Sequence, residues 1–217
     1  MRRRHFIAGL YIPLLAGPSW AQSAKAATTK ASAPRILVVG DSLSAEYGLR
    51  RGTGWVALLE QRLSEQKIAA EVRNASISGD TTSGGRARLA PLLKNYQPTH
   101  VVLELGGNDA LRGLPLKNTA DNLAAMTQAA QQAGAKVLIV GMQMPPNYGA
   151  DYGRQFSTLF GDVAREHKAG LVPFLLKGIA DGPNAAALFQ TDRIHPREEA
   201  QAAMLDNVWP ELRKQLR

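Results

Sequence analysis

The chain contains no cysteine, which removes a thiol nucleophile, a thiolate metal site, a disulfide framework and a lipobox lipid anchor together. Any nucleophile must then be an oxygen or an amine. Aromatic residues are sparse, at 6%, and no basic run interleaved with aromatics offers a stacking platform for nucleic acid. Two phosphate-cradling patterns are missing as well: neither GxxxxGK followed by Ser or Thr, nor a GxGxxG linked to a strand, occurs in the chain. Without such glycine loops the backbone N–H groups have no ready way to wrap a nucleotide. These absences count against a nucleic-acid partner and against a module that merely holds a small anion.

What is present describes an ordinary globular domain behind an export address. With 217 residues, 45% hydrophobic and 20% charged, the chain is long enough to bury one sizeable core unaided. The start, "MRRRHFIAGLYIPLLAGPSWAQS", places Arg2, Arg3 and Arg4 before an apolar stretch from Phe6 to Ala16, then Ser19 and Ala21 at signal-peptidase spacing. We therefore expect a signal peptide over 1–21 with cleavage after Ala21, a linker over 22–33, and one domain over 34–217. The apolar stretch is short for a bilayer, with Pro13 inside it and Pro18 just beyond, so no stable membrane span is expected. A periplasmic or secreted location follows. The formal charge of +8 comes from 26 basic and 18 acidic residues. Arg2, Arg3 and Arg4 leave with the signal, and the modest remaining excess is compatible with a weak attraction to anionic lipid or acyl substrates.

From Arg35 onward short aliphatic runs alternate with amphipathic stretches. The runs "RILVVG" from Arg35, "AEVRNAS" from Ala70, "HVVLELG" from His100, "KVLIVGM" from Lys136 and "LVPFL" from Leu171 read as strands. Between them "GWVALLEQRLSEQ", "SGGRARLAPLLKNY", "NTADNLAAMTQAAQQAG" and the stretch around "YGRQFSTLFGDVAREHKAG" carry helical spacing. Gly134 and Gly170 stand where helices should stop, and a last helix is expected over Glu198–Arg217. Alternating strands and helices of this kind predict an α/β fold: a three-layer sandwich with a parallel sheet covered on both faces.

In such a fold ligands bind beyond the carboxyl ends of the strands, and there the sequence is polar. Asp41 and Ser42 follow the first run. Asn74, Ser76, Ser78, Gly79 and Asp80 follow the second, and Gly106, Gly107, Asn108 and Asp109 the third. Asp192 and His195 precede the last helix. Taken singly, "GDS" also reads as a helix cap, "GGND" as a turn and "DRIHP" as a loop. Taken together they hold the parts of an acyl-transfer site: a hydroxyl that needs an imidazole to take its proton, and an imidazole that needs a carboxylate to fix its tautomer. Ser42, His195 and Asp192 supply these, Gly79 permits close backbone approach, and Asn108 offers an amide to an oxyanion. Asp41 and Asp109 suit loop architecture better than proton transfer.

These blocks resemble the SGNH, or GDSL-type, hydrolases: "GDSLSAEYGL" with Ser42, "NASISGDTT" with Gly79, "LELGGNDALRG" with Asn108, and "DRIHP" with Asp192 and His195. The resemblance runs from about Pro34 to the C-terminus. It is closest to the bacterial periplasmic branch of thioesterases, lysophospholipases and arylesterases, whose substrate-side loop "MQMPPNYGADYGRQF" also resembles. It implies a flavodoxin-like five-stranded sheet of order 2-1-3-4-5 and hydrolysis of acyl esters, thioesters or lysophospholipids through an acyl-enzyme on Ser42. The implied oxyanion donors are the N–H groups of Ser42 and Gly79 and the Asn108 side chain. No metal or organic cofactor is required, and the expected partner is a small acyl substrate met by a monomer. Met144, Pro145 and Tyr148 are expected to govern acyl-chain choice. Arg193 departs from the family pattern, where a small residue is common between acid and base. A carbohydrate O-deacetylase with the same triad is the alternative, distinguished by a shallow polar cleft rather than a deep apolar groove.

Overall fold

A computed structural model describes residues 33–217. The expected signal peptide and residues 22–32 of the expected linker lie outside the described residues. Within them, five parallel strands form one sheet of order β2-β1-β3-β4-β5: β1 Arg35–Gly40, β2 Glu71–Asn74, β3 His100–Glu104, β4 Lys136–Val140 and β5 Gly170–Val172. The helices are α1 Trp55–Glu65, α2 Thr82–Tyr96, α3 Gly107–Leu111, α4 Leu116–Gln132, α5 Ala150–Glu166, α6 Ala185–Leu188 and α7 Gln201–Gln215. α1 packs on α7 across one face, while α2, α4 and α5 pack side by side on the other. The three-layer α/β sandwich and its strand order are as expected.

The aliphatic runs sit where coverage is complete. β1 from Ile36 onward, all of β3, and β4 from Val137 onward are buried, which is why they tolerate no polar face. β2 is the sheet edge, and its sequence EVRN leaves Glu71, Arg73 and Asn74 exposed. It is also shorter than the run from Ala70 suggests, because only four of its residues pair with β1. Under α4 and α5 the core is filled by Phe156 and Phe160, whose rings meet edge to face at 5.1 Å. Among the described residues no helix is long and apolar enough to cross a membrane.

Helix ends differ from the sequence reading in an instructive way. Gly134 does follow α4 with φ +86°, but Gly170 opens β5. The left-handed residue after α5 is Lys168, at φ +52°. Lys67 after α1 and Gln97 after α2 do the same. The strand that follows needs its first residue extended, so the chain reversal falls on whichever residue lies one turn earlier. The last helix also starts later than expected, with a 3₁₀ turn over Glu198–Ala200 ahead of α7.

Three carboxylates, Asp41, Glu104 and Asp109, are buried at the carboxyl end of the sheet. Glu104 ends β3, and its Oε2 accepts from the Ser44 hydroxyl at 2.7 Å and from the Asp41 N–H at 3.4 Å. Trp55 Nε1 donates to the same Ser44 oxygen at 3.2 Å. Gly40 makes room for this cluster, since a Cβ there would lie 2.9 Å from both Glu104 Oε2 and Ser44. Burial and the nearby Asp41 charge push the Glu104 carboxyl well above its ordinary value, against the pull of its two donors. Burial likewise pushes Asp41 up to about 6, opposed by its bonds to Leu43 and Asn108 and by His195.

Two outcomes follow from these features. An L-residue in the left-handed region costs about 1 kcal/mol or more that glycine does not. Lys168→Gly should therefore raise the unfolding free energy by up to about 1 kcal/mol, and Lys168→Val should lower it, read by urea denaturation. For Glu104, the folded chain keeps a proton that the unfolded chain releases above its ordinary value of 4.5, so its contribution to stability falls as pH rises through that window. Glu104→Gln removes this titration. Its Tm should gain on that of the parent as pH rises above about 4.5, and a gap that does not change with pH would refute the assignment.

Candidate active site

The segment after β1 enters a turn at once. Ala45 N–H donates to Asp41 O at 2.9 Å, and Asp41 Oδ1 accepts the Leu43 N–H at 3.0 Å. Asp41 is thus a cap, and the cap is what presents Ser42 at the first turn. The capped segment is a turn and not a helix, since the first helix begins at Trp55.

His195 reaches Ser42 from the loop between β5 and α7. Its Nε2 lies 2.8 Å from Ser42 Oγ, and its Nδ1 lies 2.7 Å from Asp192 Oδ2. Asp192 Oδ1 accepts the N–H groups of Ile194 and His195 at 2.9 and 3.0 Å. Burial acts to raise the Asp192 pKa, but these N–H groups and the His195 ring outweigh it and bring it to about 2. The carboxylate therefore stays ionised while it orients the imidazole. Of the other described histidines, His100 binds Thr99 and the Gln215 carbonyl at the opposite end of the sheet, and His167 caps α5.

The loop carrying acid and base is held by contacts that sequence reasoning missed. Gln190 N–H donates to the His195 carbonyl at 2.8 Å, and Gln190 Nε2 donates to the Tyr47 carbonyl at 2.9 Å. The Tyr47 ring lies 4.3 Å from the imidazole, centroid to centroid. Arg193 adopts φ +58°, so the turn between Asp192 and His195 is one that disfavours a bulky side chain. No local pattern marks Gln190 or Tyr47, because each matters only through a residue far away in sequence.

Opposite the imidazole stand the candidate oxyanion donors. Gly79 has φ +80°, a backbone open to glycine at least cost, and Arg112 Nη2 holds its carbonyl at 2.8 Å. Among the described residues neither the Gly79 nor the Ser42 N–H has an acceptor. "GGND" is not a simple turn: Gly106, at φ +121°, leads into α3, and Asn108 lies in its first turn. Asn108 Nδ2 donates to Asp41 Oδ2 and to the Asp80 carbonyl, each at 3.0 Å. Asp109 accepts from the Thr82 N–H at 2.8 Å and hydroxyl at 2.5 Å, fastening α3 to the start of α2. Among the described residues no cluster of three or more His, Asp or Glu side chains is placed to hold a metal.

Beside the triad loop opens a cavity of about 480 Å³, the size of a small-molecule site. Met142, Met144, Pro145, Phe156, Phe174 and Phe189 line it, with Arg193 and Ile194. Met144 and Pro145 are therefore where substrate-side residues should be, but Tyr148 is not among the lining. The substrate-side loop "MQMPPNYGADYGRQF" is shorter than its sequence suggests, since a 3₁₀ turn over Pro146–Tyr148 runs into α5 at Ala150. That turn leaves Tyr148 exposed. The aromatic lining, Phe156, Phe174 and Phe189, comes from three separate segments and had no sequence signal beyond hydrophobicity.

Known proteins are similar to this chain over most of its length. The esterase TesA of Pseudomonas aeruginosa is 50% identical over 186 residues, covering 86% of this chain and 91% of that one. The thioesterase 1/protease 1/lysophospholipase L1 of Escherichia coli K12 is 39% identical over 176 residues, covering 81% and 82%. Among solved structures, the psychrotrophic esterase EstA from Pseudoalteromonas sp. superposes with a TM-score of 0.78 at 39% identity, covering 84% of this chain and 98% of that one. The family model for the GDSL-like lipase/acylhydrolases matches residues 38–203, and the chain, a serine-type ester hydrolase in fold and sequence, belongs to that family.

Proposed function

We propose that the protein hydrolyses acyl esters, thioesters or lysophospholipids through an acyl-enzyme on Ser42. The observation that carries this reading is the unbroken relay from Asp192 through His195 to Ser42, at 2.7 and 2.8 Å, beside the unpartnered N–H groups of Ser42 and Gly79. His195 Nε2 takes the hydroxyl proton as Oγ attacks the acyl carbonyl, and Asp192 steadies the imidazolium. The oxyanion is received by the N–H groups of Ser42 and Gly79 and by Asn108. Asn108 keeps its bond to Asp41 and exchanges its bond to the Asp80 carbonyl for the oxyanion. His195 then protonates the leaving alcohol or thiol, and a water molecule, activated by the same imidazole, releases the acid. Every group in this scheme comes from one chain, which supports action as a monomer.

The groove supports an acyl substrate over a sugar ester, because its lining is mostly apolar rather than polar. The basic start and short apolar stretch support export, with residues 1–21 removed, 34–217 as the working domain, and a periplasmic location.

Ser42→Ala should cut turnover by several orders of magnitude. A fluorophosphonate should add once to the parent protein and not to this variant, as read by intact mass; labelling elsewhere would defeat the assignment. Asn108→Ala should lower kcat by about 10²- to 10³-fold and change KM less. With p-nitrophenyl esters of rising length, kcat/KM should climb by about four-fold per methylene until the groove is full. Met144→Trp, which fills the groove, should flatten that climb and spare the acetyl ester, whereas Tyr148→Ala should leave the profile unchanged.

A further inference from the structure

An isolated exposed apolar side chain carries no message, but a cluster of them at one place does. The large apolar side chains left exposed among the described residues are Tyr47, Ile77, Leu111, Leu114, Tyr148 and Ile194. Tyr47 follows β1, Ile77 follows β2, Leu111 and Leu114 follow β3, Tyr148 follows β4, and Ile194 follows β5. In a parallel sheet these segments all emerge at the same end. No turn at the amino end of the sheet contributes one. Part of the cluster belongs to the site: Leu111 and Ile194 line the groove, and Tyr47 lies on His195. Ile77, at 52% exposure, and Leu114, at 37%, do not line the groove. They extend the ring of exposed apolar side chains at this end of the sheet beyond the groove lining.

The same end is basic. Arg51, Arg112, Arg193 and Arg197 stand there with no carboxylate partner among the described residues. Arg112 and Arg197 donate only to the carbonyls of Gly79 and Phe189. Of the acidic groups at this end, Asp41, Glu104 and Asp109 are buried, Glu46 is taken up by the N–H groups of Gly52 and Gly54, Asp80 by Arg88, Asp151 by Arg154, Glu198 by Arg50, and Asp192 by His195. Asp181, bonded to the Gly178 N–H, and Glu199 remain.

We propose that this end of the domain docks on an anionic phospholipid bilayer. The apolar ring enters the headgroup region, with Tyr47 and Tyr148 placed as tyrosines are at membrane interfaces, and the arginines face lipid phosphates. The groove mouth then opens directly onto the lipid, and an acyl chain enters it without crossing water. The proposal rests on the acyl-ester reading above, because it gives the ring its purpose.

The absence of cysteine from the chain makes a site-specific probe simple. Leu114→Cys, and separately Lys94→Cys near the end of α2 at the far end of the sheet, are labelled with the fluorophore NBD. They are mixed with vesicles made of equal parts phosphatidylglycerol and phosphatidylcholine. The probe at 114 should brighten and shift to the blue, and the probe at 94 should not. In vesicle sedimentation Ile77→Ser should weaken binding by about ten-fold, and Arg51→Gln by about five-fold. Vesicles of phosphatidylcholine alone should bind less than the anionic ones. Both variants should hydrolyse p-nitrophenyl acetate in free solution as the parent does. A parent protein that hydrolyses no ester would strike the acyl-ester reading itself. Full ester hydrolysis with no vesicle binding, binding equal in parent and Ile77→Ser, or a probe at 114 that stays in water would overturn the docking alone. So would a dimer in solution that Ile77→Ser dissolves while vesicles have no effect, which would assign the ring to a second copy of the chain.

Discussion

The parallel register of the five strands is the constraint on which the site depends. A parallel pair cannot be closed by a hairpin, so each strand is followed by a segment that must leave the sheet at the same edge. β1 delivers Ser42, β2 delivers Gly79, β3 delivers Asn108, and the long return after β5 delivers Asp192 and His195. Residues up to 153 positions apart thereby meet at 2.8 Å. A single antiparallel strand in the middle of the sheet would send one of these groups to the other end.

Bringing polar groups to one edge creates a packing problem that the chain solves with glycine and with shared hydrogen bonds. Gly40 lets Glu104 and Ser44 close behind the nucleophile. Asp41 caps the turn that carries Ser42 and at the same time holds Asn108, so the Ser42 hydroxyl and the Asn108 amide are set by one carboxylate. Gln190 ties the acid–base loop to the segment that follows Ser42. Such groups add no chemistry of their own. They fix the separation of those that do, and the catalytic advantage of a preorganised site is lost when that separation loosens.

The substrate side follows a different rule. Its groove is built from apolar side chains with no directional bonds, drawn from segments around Met144, Phe156, Phe174 and Phe189. In the proposed reaction the polar centre would fix the carbonyl and the groove beside it would receive the acyl chain, so the two tasks would fall to two neighbouring surfaces rather than to one.

How much of this was written locally can be told residue by residue. The aliphatic runs of β1, β3 and β4 were legible because full burial on both faces demands unbroken hydrophobicity. Ser42, Asp192 and His195 were legible because triad chemistry restricts residue type at each position, and Asp192 and His195 share one turn. Gly134 was legible as a helix stop, but Lys168 was not, since the left-handed residue there is imposed by where β5 must begin and not by its own preference. Asn108 was found, yet that its amide is already held by Asp41 and Asp80 could not be seen without their positions. Tyr148 was assigned to the groove on its neighbours, and a 3₁₀ turn places it outside. By itself the sequence determined the layers and the direction of the sheet and pointed to the candidate reacting groups, because these depend on burial period and on chemical type. Only the tertiary structure decided which side chains wall the groove, which backbone N–H groups stay free and which residues brace the triad, because each of those is set by contacts between segments that lie far apart along the chain.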